Sequence, residues 1–333
     1  MKVAFFDIKP FEKEYLEKNL PENFKPYYFE TSLNCNTRID ESVSDCKIIS
    51  VFTNSSLGNK VLSKFKNLKF IILRSSEFSH VDLLCAKKMG ITVFNAPHFG
   101  DNSGAEFVFA ALLSSTRYIF KAKQEPFKGF VRQNNINGKE LYQKTMGIIG
   151  LGAIGKKVYR IAKSFDMNVF YYDIVQFEGY NYLPLDKLCK ISDIITLTCP
   201  LTDKTLGLID ANKFELMKKG VVLINCSKGE IIKTEDLYNA LIAEKAGFAA
   251  LDTIECEDFL YNNKDLKDIE HVKEKCFKNF YITEQILNRD NVLITPNIAY
   301  NTIEAQKKIL DITIENLISS IKFTSGAKNI VLI

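Results

Sequence analysis

Histidine and long apolar runs are both scarce in this sequence. Only 3 of the 333 residues are histidine. No apolar run reaches about 18 residues, the length that a membrane-spanning helix needs. The apolar run near the start, in MKVAFFDIKP, is interrupted by charges before it reaches the length of a signal-peptide core. We therefore expect a soluble, cytoplasmic protein without a membrane partner.

Metal-binding spacings and a concentrated charge are also missing. The 8 cysteines are scattered, with no C-x-x-C pair and no histidine close enough to complete a zinc site. Reduced thiols and no bound metal are the expectation. Lys and Arg total 44 against 40 Asp and Glu, and the net charge of +4 is spread along the chain. This balance argues against a nucleic-acid partner, which would need a basic face.

Short apolar runs alternate with helical stretches along the whole chain, which predicts α/β architecture with open parallel sheets. A length of 333 residues exceeds what a single core usually supports, so two domains are expected. The strands of the first half are predicted at KVAFFDI, CKIISVF, LKFIILR and ITVFNA, and its helices at FEKEYLEKNL and VDLLCAKKMG. Those of the second half are predicted at MGIIG, NVFYYD, DIITLTC, GVVLINC, AGFAALD and NVLITP.

The ends of the chain indicate how the two domains are divided. A long apolar helix is predicted from about Ser103 to Phe120, a polar surface excursion between Glu257 and Asp290, and an amphipathic helix after Asn301. If the first domain takes that last helix back, it consists of residues 1–101 and 300–333. Residues 102–299 then form a dinucleotide-binding domain inserted between its two parts.

A glycine loop in the second half has the context of a dinucleotide site. Gly150, Gly152 and Gly155 form G-L-G-A-I-G directly after one predicted strand and directly before a helix. The helix N-terminus there, at Ala153 and Ile154, would favour a pyrophosphate. Asp173 ends the next strand, where an acid accepts hydrogen bonds from the ribose hydroxyls and repels a 2′-phosphate. NAD is therefore the predicted cofactor.

Several further motifs resemble the D-isomer-specific 2-hydroxyacid dehydrogenases, and particularly their D-lactate dehydrogenase branch. They include TMGIIGLGAIGKKV, TLTCPLTDKTLGLIDANKFELMKKGVVLINCSKGEIIKTEDLYNAL, ALDTIECE and ITPNIAYNT. The resemblance implies a Rossmann NAD-binding domain inserted in a flavodoxin-like substrate domain, and hydride transfer at C2 of a 2-hydroxy or 2-oxo acid. It also implies further cofactor-binding residues at Cys199, Pro200, Asn225, Cys226 and Asp252.

The chemical half of the site departs from the family pattern. The family has an arginine in N-x-S-R-G, where this chain has Lys228, and a histidine in P-H-I-A, where it has Asn297. The glutamate expected in LDT-x-E is present as Glu255. Lysine replaces a bidentate fork by a point charge, and asparagine donates a hydrogen bond but exchanges no proton near neutral pH. Lys228, Glu255 and Asn297 are the predicted catalytic residues.

The substrate-binding loops of the first half also depart from the family pattern. The resemblance places substrate contacts in the turn containing Ser76 and at Phe99. His98, in the loop of Phe99, is expected to face the cleft, where it either reaches the substrate or is solvated. Glu77 brings a negative charge close to an expected anion site, and Phe99 stands where the branch has an aromatic hydroxyl. His80 and His271 are expected to serve surface or capping roles.

Two functions therefore stay open at this level. The first is an NAD-dependent oxidoreductase that uses Lys228 as its acid/base group and carboxylate anchor, because a partly desolvated lysine can exchange a proton. The second is an NAD(H)-binding protein without turnover that acts as a redox sensor or regulatory module. The apolar run AEFVFAALL in the long helix further predicts a homodimer, although packing between domains would explain the same residues.

Overall fold

The computed structural model describes residues 1–124, 137–257, 274–322 and 328–331. The chain separates into two units, of which one consists of residues 1–99 and 302–333 and the other of residues 100–301. The first unit therefore contains both ends of the chain. The predicted boundaries, at 101/102 and 299/300, lie within two residues of these.

The first unit is a five-stranded parallel sheet with helices. Its strands are β1 (Lys2–Phe5), β2 (Lys25–Tyr28), β3 (Ile48–Val51), β4 (Phe70–Leu73) and β5 (Thr92–Phe94). Its helices are α1 (Pro10–Asn19), α2 (Glu41–Ser44), α3 (Asn59–Leu62), α4 (Leu83–Lys88) and, at the C-terminus, the long helix of Ile303–Lys322. The strand order β2-β1-β3-β4-β5 is that of flavodoxin-like sheets.

The C-terminal helix belongs to this first unit because its apolar face completes the core. Ile309, Leu310 and Leu317 are buried in one cluster with Val3 and Phe5 of β1. Ile330 then pairs with Phe94 as an antiparallel bridge beside β5. The amphipathic pattern after Asn301 predicted the helix, and these contacts show what its apolar face packs against.

The second unit is a six-stranded parallel sheet with helices. Its strands are β6 (Thr145–Ile149), β7 (Asn168–Tyr172), β8 (Ile194–Leu197), β9 (Val221–Asn225), β10 (Ala246–Leu251) and β11 (Val292–Ile294). Its helices are α5 (Asp101–Thr116), α6 (Ile119–Gln124), α7 (Ala153–Ser164), α8 (Leu185–Ile191), α9 (Ala211–Leu216), α10 (Thr234–Ile242) and α11 (Glu274–Leu287). A 3₁₀ turn covers Gly229–Ile231, and the C-terminal helix Ile303–Lys322 is numbered α12.

The second sheet has the strand order of a Rossmann domain. The order is β11-β10-β9-β8-β6-β7, and a parallel bridge between Tyr171 and Tyr182 extends it by one position beyond β7. Every residue of β8 and β9 is buried, as expected for strands covered on both faces. The strand order reverses between β6 and β8, which is where open α/β sheets bind ligands at their carboxyl ends.

Two local expectations differ from the structure. The long helix predicted over Ser103–Phe120 is α5 followed by α6, because Tyr118 between them adopts a left-handed backbone with φ of 54°. Cys256 and Cys276 form a disulfide with a Cα–Cα distance of 5.7 Å, so the expectation of reduced thiols throughout was wrong. The cysteines lie 20 residues apart in sequence, and only the fold brings them together.

Within the predicted polar excursion, residues 274–287 form α11, and residues 258–273 lie outside the described part of the chain. None of the helices in the described ranges has the length and apolar character to cross a bilayer.

Candidate cofactor and catalytic site

The glycine loop between β6 and α7 has the geometry of a phosphate cradle. Gly150 has a φ of +98°, and a Cβ there would lie 2.5 Å from the backbone nitrogen of Cys199. A Cβ on Gly155 would lie 2.2 Å from the carbonyl oxygen of Gly150. At Gly152, by contrast, a Cβ would meet nothing within 4 Å. Two glycines thus close the turn against the sheet, and the third leaves open space at the start of α7.

The first turn of α7 faces this space with its backbone amides. Gly152 is the N-cap residue, and α7 begins with Ala153 and Ile154. Ile154 is packed against Gly104 of α5, which fixes the helix start. Free amides and the helix dipole at such a terminus favour an anion, so the residues present fit the pyrophosphate of NAD.

Asp173 lies directly after β7 and holds the glycine loop. One carboxylate oxygen accepts a hydrogen bond from the backbone N–H of Leu151 at 2.7 Å, and the other accepts one from Val175 at 3.1 Å. The next residue, Ile174, is 81% exposed. The predicted ribose-binding acid therefore also positions the loop that would carry the pyrophosphate.

Cys199 and Pro200 follow β8, the neighbour of β6 at the point where the strand order reverses. Cys199 is buried against Gly150, and its carbonyl oxygen accepts a hydrogen bond from the Ser227 hydroxyl. Burial raises the pKa of the Cys199 thiol to about 11, so the thiol is neutral at pH 7. Pro200 is exposed, and its carbonyl oxygen accepts a hydrogen bond from Thr205 at 2.7 Å.

The loop that carries Lys228 is fixed by its own residues. The fully buried Asn225 accepts from the N–H of Ser227 at 3.0 Å and donates to the carbonyl of Lys228 at 2.9 Å. The Thr253 hydroxyl donates to the carbonyl of Ser227 at 2.7 Å. Burial raises the pKa of Cys226 far above its usual value. Asn225 and Cys226 thus shape this loop, and their contact with the cofactor stays a prediction.

Gly229 brings the Lys228 loop into contact with the segment of Glu255. A Cβ on Gly229 would lie 2.1 Å from the carbonyl carbon of Ile254 and 2.4 Å from the nitrogen of Glu255. Only glycine permits this approach of the two backbones. Lys228 is half-buried at the start of the 3₁₀ turn. Two of the three predicted catalytic residues are therefore held on touching backbone segments.

Asp252 organises the segment that carries Asn297. One of its carboxylate oxygens accepts from the Thr295 hydroxyl at 2.7 Å and from the N–H of Ile298 at 2.8 Å, and the other accepts from Ala299 at 2.8 Å. The N–H of Asn297 donates to the carbonyl of Asp252 at 2.8 Å. Asn297 has a φ of 52°, a left-handed conformation in which asparagine and histidine are both enriched. The buried Asp252 is thus a bracing residue, and its cofactor contact stays a prediction.

The Glu255 carboxylate is only 5% exposed and receives two side-chain hydrogen bonds that the sequence did not suggest. The Thr234 hydroxyl at the start of α10 donates to its Oε2 at 2.7 Å, and Asn279 of α11 donates to the same oxygen at 2.8 Å. A cavity of about 20 Å³ borders Glu255 and Thr283. Thr234 and Asn279 lie 21 and 24 residues from Glu255, so no local pattern could have identified them.

The predicted substrate residues lie in the first unit, in the segments after β4 and β5. Ser76 is exposed, and its carbonyl oxygen accepts from Asn95 at 2.9 Å. His98 is exposed with a φ of 61°, and its carbonyl oxygen accepts from Lys308 at 2.5 Å. Phe99 is partly buried against the core of its unit. His80 does not cap α4, because Asp82 is the N-cap residue and accepts from the N–H of Cys85 at 2.8 Å.

His271 lies outside the described residues. Among the residues that the structure does describe, no cluster of three or more His, Cys, Asp or Glu side chains is arranged to hold a metal ion.

Comparison with known proteins identifies relatives along the full chain. Residues 109–299 match the family model of the D-isomer specific 2-hydroxyacid dehydrogenase NAD binding domain. A 2-hydroxyacid dehydrogenase homolog of Haemophilus influenzae is 33% identical, with 100% of this chain and 99% of the relative covered. The D-lactate dehydrogenase of Escherichia coli is 30% identical, with 95% and 96% covered. The structure also resembles D-lactate dehydrogenase from Aquifex aeolicus, complexed with NAD and lactic acid, with a TM-score of 0.84, 30% identity and 99% and 98% of the two chains covered.

Proposed function

The chain belongs to the family of D-isomer-specific 2-hydroxyacid dehydrogenases, and from that premise we propose that it transfers a hydride between NAD and C2 of a 2-hydroxy or 2-oxo acid. The proposal includes an unusual site in which Lys228 replaces arginine and Asn297 replaces histidine. The observation that supports it is the close approach of the Gly229 backbone to that of Glu255, because this approach brings the loop of Lys228 against the segment of a buried carboxylate.

Each catalytic residue has a distinct part in this proposal. When bound, NAD accepts or supplies the hydride. The Lys228 ammonium has three donors, so it can hold the substrate carboxylate and exchange the proton of the oxygen on C2. Glu255 supplies the negative charge that balances this ammonium. The Asn297 amide can donate a hydrogen bond to the same substrate oxygen but cannot exchange its proton.

The proposed function is tested by NADH oxidation in the presence of a panel of 2-oxo acids, from pyruvate to phenylpyruvate. We expect turnover by the native protein and a loss of at least about 100-fold in Lys228→Ala, the lower range of a general acid contribution. Asn297→Ala is the matched control and should lose less, because it removes a hydrogen bond and no proton donor. Unchanged turnover in Lys228→Ala would assign the proton to another group.

The alternative is an NAD(H)-binding protein without turnover, and the asparagine at position 297 favours it. In that case the native protein binds NADH but turns over no acid in the panel. The double substitution Lys228→Arg/Asn297→His should then gain activity, because the left-handed backbone at 297 accepts histidine. Binding of NADH alone does not separate the two functions, since both use Gly152 and Asp173.

The substrate side of the proposal rests on the first unit. Ser76, His98 and Phe99 follow the carboxyl ends of neighbouring parallel strands, where open α/β sheets bind their ligands. We expect the substrate to be a small 2-oxo or 2-hydroxy acid of the kind used by the D-lactate dehydrogenases among the relatives.

A cytoplasmic homodimer completes the proposal. Ile119 and Phe120 of α6 are 51% and 49% exposed, and they offer apolar surface for a second copy of the chain. Light scattering after size exclusion should return twice the mass of one chain, and a monomer would contradict the dimer.

A further inference from the structure

We propose that Cys256 and Cys276 form a thiol–disulfide control site for the Glu255 carboxylate, and that Asn279 is the positioning residue through which it acts. The inference adds regulation to the proposed function. It rests on that function only where the test measures activity. The site would undergo thiol–disulfide exchange with a dithiol or with the disulfide of that dithiol.

The disulfide joins the segment of Glu255 to the helix that holds it. Cys256 directly follows Glu255, and Cys276 lies in the first turn of α11. Asn279, three residues further along α11, donates to Glu255 Oε2 at 2.8 Å and is only 5% exposed. Side chains three residues apart lie on one helix face, so the covalent bond and the hydrogen bond connect the same two segments side by side.

The rest of α11 is held independently of the disulfide. Ile286 near its C-terminal end is 1% exposed in the core of the second unit. Lys278 forms an ion pair with Glu235 of α10 at 2.7 Å. Reduction should therefore loosen the first turn of α11 and the backbone at residue 256 without unfolding the helix. Cys256 has a φ of 61°, a conformation that costs free energy for a residue with a Cβ and that the bond helps to retain.

Cys256 and Cys276 are both half-buried rather than fully buried, and the proposal requires that a small dithiol reaches one of their sulfur atoms. In the exchange, one thiolate of the dithiol attacks a sulfur of the bond and releases the other cysteine thiolate. Its second thiol then releases the first cysteine. Two electrons and two protons pass to the protein, which gains two thiols, and the dithiol becomes a disulfide. In a reducing compartment such bonds are usually transient and serve catalysis or sensing.

The test compares the oxidised full-length protein with protein treated with dithiothreitol. Thiol counting after unfolding should give 6 thiols per chain before treatment and 8 after it, since 2 of the 8 cysteines are bonded. Reduction should speed amide hydrogen exchange in the first turn of α11 and in residues 252–257. It should also lower kcat/KM by about 10- to 100-fold, the cost of misplacing a catalytic group by about 1 Å, while the Kd for NADH changes less than twofold.

Three variants separate this role from general stability. Cys276→Ser should behave like the reduced protein and no longer respond to dithiothreitol. Asn279→Leu should lower kcat/KM in both redox states although its disulfide remains. Cys85→Ser, which alters a half-buried thiol of the first unit, is the matched control and should keep the full response.

A count of 8 thiols before treatment would overturn the proposal, and so would unchanged amide exchange after reduction. If the native protein turns over no 2-oxo acid, the proposed function fails, but thiol counting and amide exchange still decide this inference. Activity that falls on reduction while exchange near Glu255 stays constant would place the sensitive thiols elsewhere and also overturn it.

Discussion

Two threonines near Glu255 show that a buried hydroxyl can either stabilise or destabilise the fold. Thr234 donates its hydroxyl to the buried carboxylate at 2.7 Å. Thr283 is 1% exposed, and its hydroxyl has no hydrogen-bond partner within the described part of the chain. Hydrogen bonds to charged groups stabilise more than neutral ones, whereas a buried polar group without a partner is destabilising. Valine has nearly the shape of threonine, so replacing each threonine by valine measures the contribution of its hydroxyl alone.

We predict that Thr234→Val lowers the free energy of unfolding by about 1–3 kcal/mol, because it removes a donor from a buried carboxylate. Thr283→Val should be neutral or stabilising by up to about 1 kcal/mol. Urea denaturation of both variants checks the contrast. An equal loss in both would show that the Thr283 hydroxyl has a partner of its own.

At the scale of the element, the start of α7 depends on two glycines with opposite surroundings. A Cβ on Gly155 would overlap the carbonyl oxygen of Gly150, whereas a Cβ on Gly152 would enter open space. Both positions belong to the same sequence motif, so the motif alone does not distinguish a packing glycine from a ligand-facing one.

We predict that Gly155→Ala disrupts the packing of α7 on β6 and costs several kcal/mol, since the contact atom belongs to the backbone and cannot move aside. Gly152→Ala should fold with a Tm within about 4 °C of the native protein, a change of about 1 kcal/mol or less. It should nevertheless bind NADH more weakly, because its methyl group occupies the space for the pyrophosphate. Thermal unfolding and NADH fluorescence titration check the two outcomes. Full NADH affinity in Gly152→Ala would contradict the proposed cradle.

Arg74 connects three strands of the first sheet at their carboxyl ends. Its guanidinium is fully buried and donates to Ser50 at 3.1 Å and to the carbonyls of Phe6 and Asp7 at 2.6 and 3.0 Å. Glu12 of α1 lies 3.6 Å from its Nε. Burial lowers the pKa of Arg74, while Glu12 and Asp7 oppose that shift.

We predict that Arg74→Met costs about 3–5 kcal/mol, because it leaves Glu12 as a buried charge without its counterion. Arg74→Met/Glu12→Gln should recover part of that loss, because the amide carries no charge and can still accept from the N–H of Lys9. Urea denaturation of both variants provides the measurement. A double variant as unstable as the single one would show that the arginine stabilises the fold through its hydrogen bonds to Ser50, Phe6 and Asp7 rather than through Glu12.

The elements that the sequence predicted are those with strong local patterns. Continuous apolar runs identified β1, β3, β4, β5 and the strands of the second sheet. β2 was missed because KPYY carries a lysine and a proline, as edge strands often do. In the site, the motifs predicted which loops follow the strand ends, and the roles of the residues in those loops stay predictions. Thr234, Asn279 and the disulfide were not predictable, because they are contacts between elements, which periodicity does not encode.

At the scale of the whole molecule, buried thiols in both units make the stability of the fold depend on pH in the alkaline range. Burial raises the pKa of Cys46 in the first unit and of Cys189 and Cys199 in the second, each to about 11 from an ordinary value of 9.0. The folded state therefore favours the protonated thiol. Its contribution is fully present below the pKa of the unfolded chain and is lost as pH rises toward the folded value.

We therefore predict that the contribution of these thiols to the free energy of unfolding is constant up to about pH 8 and falls between about pH 9 and pH 11. Cys46→Ala and Cys189→Ala should each be less stable than the native protein at pH 7.5, but their stability should fall less steeply over that window. Cys35→Ala, at an exposed thiol, is the control and should keep the native slope. The comparison belongs in a Cys256→Ser/Cys276→Ser background, which excludes thiol–disulfide exchange as the cause. Equal slopes in all variants would show that the buried thiols do not set the alkaline limit.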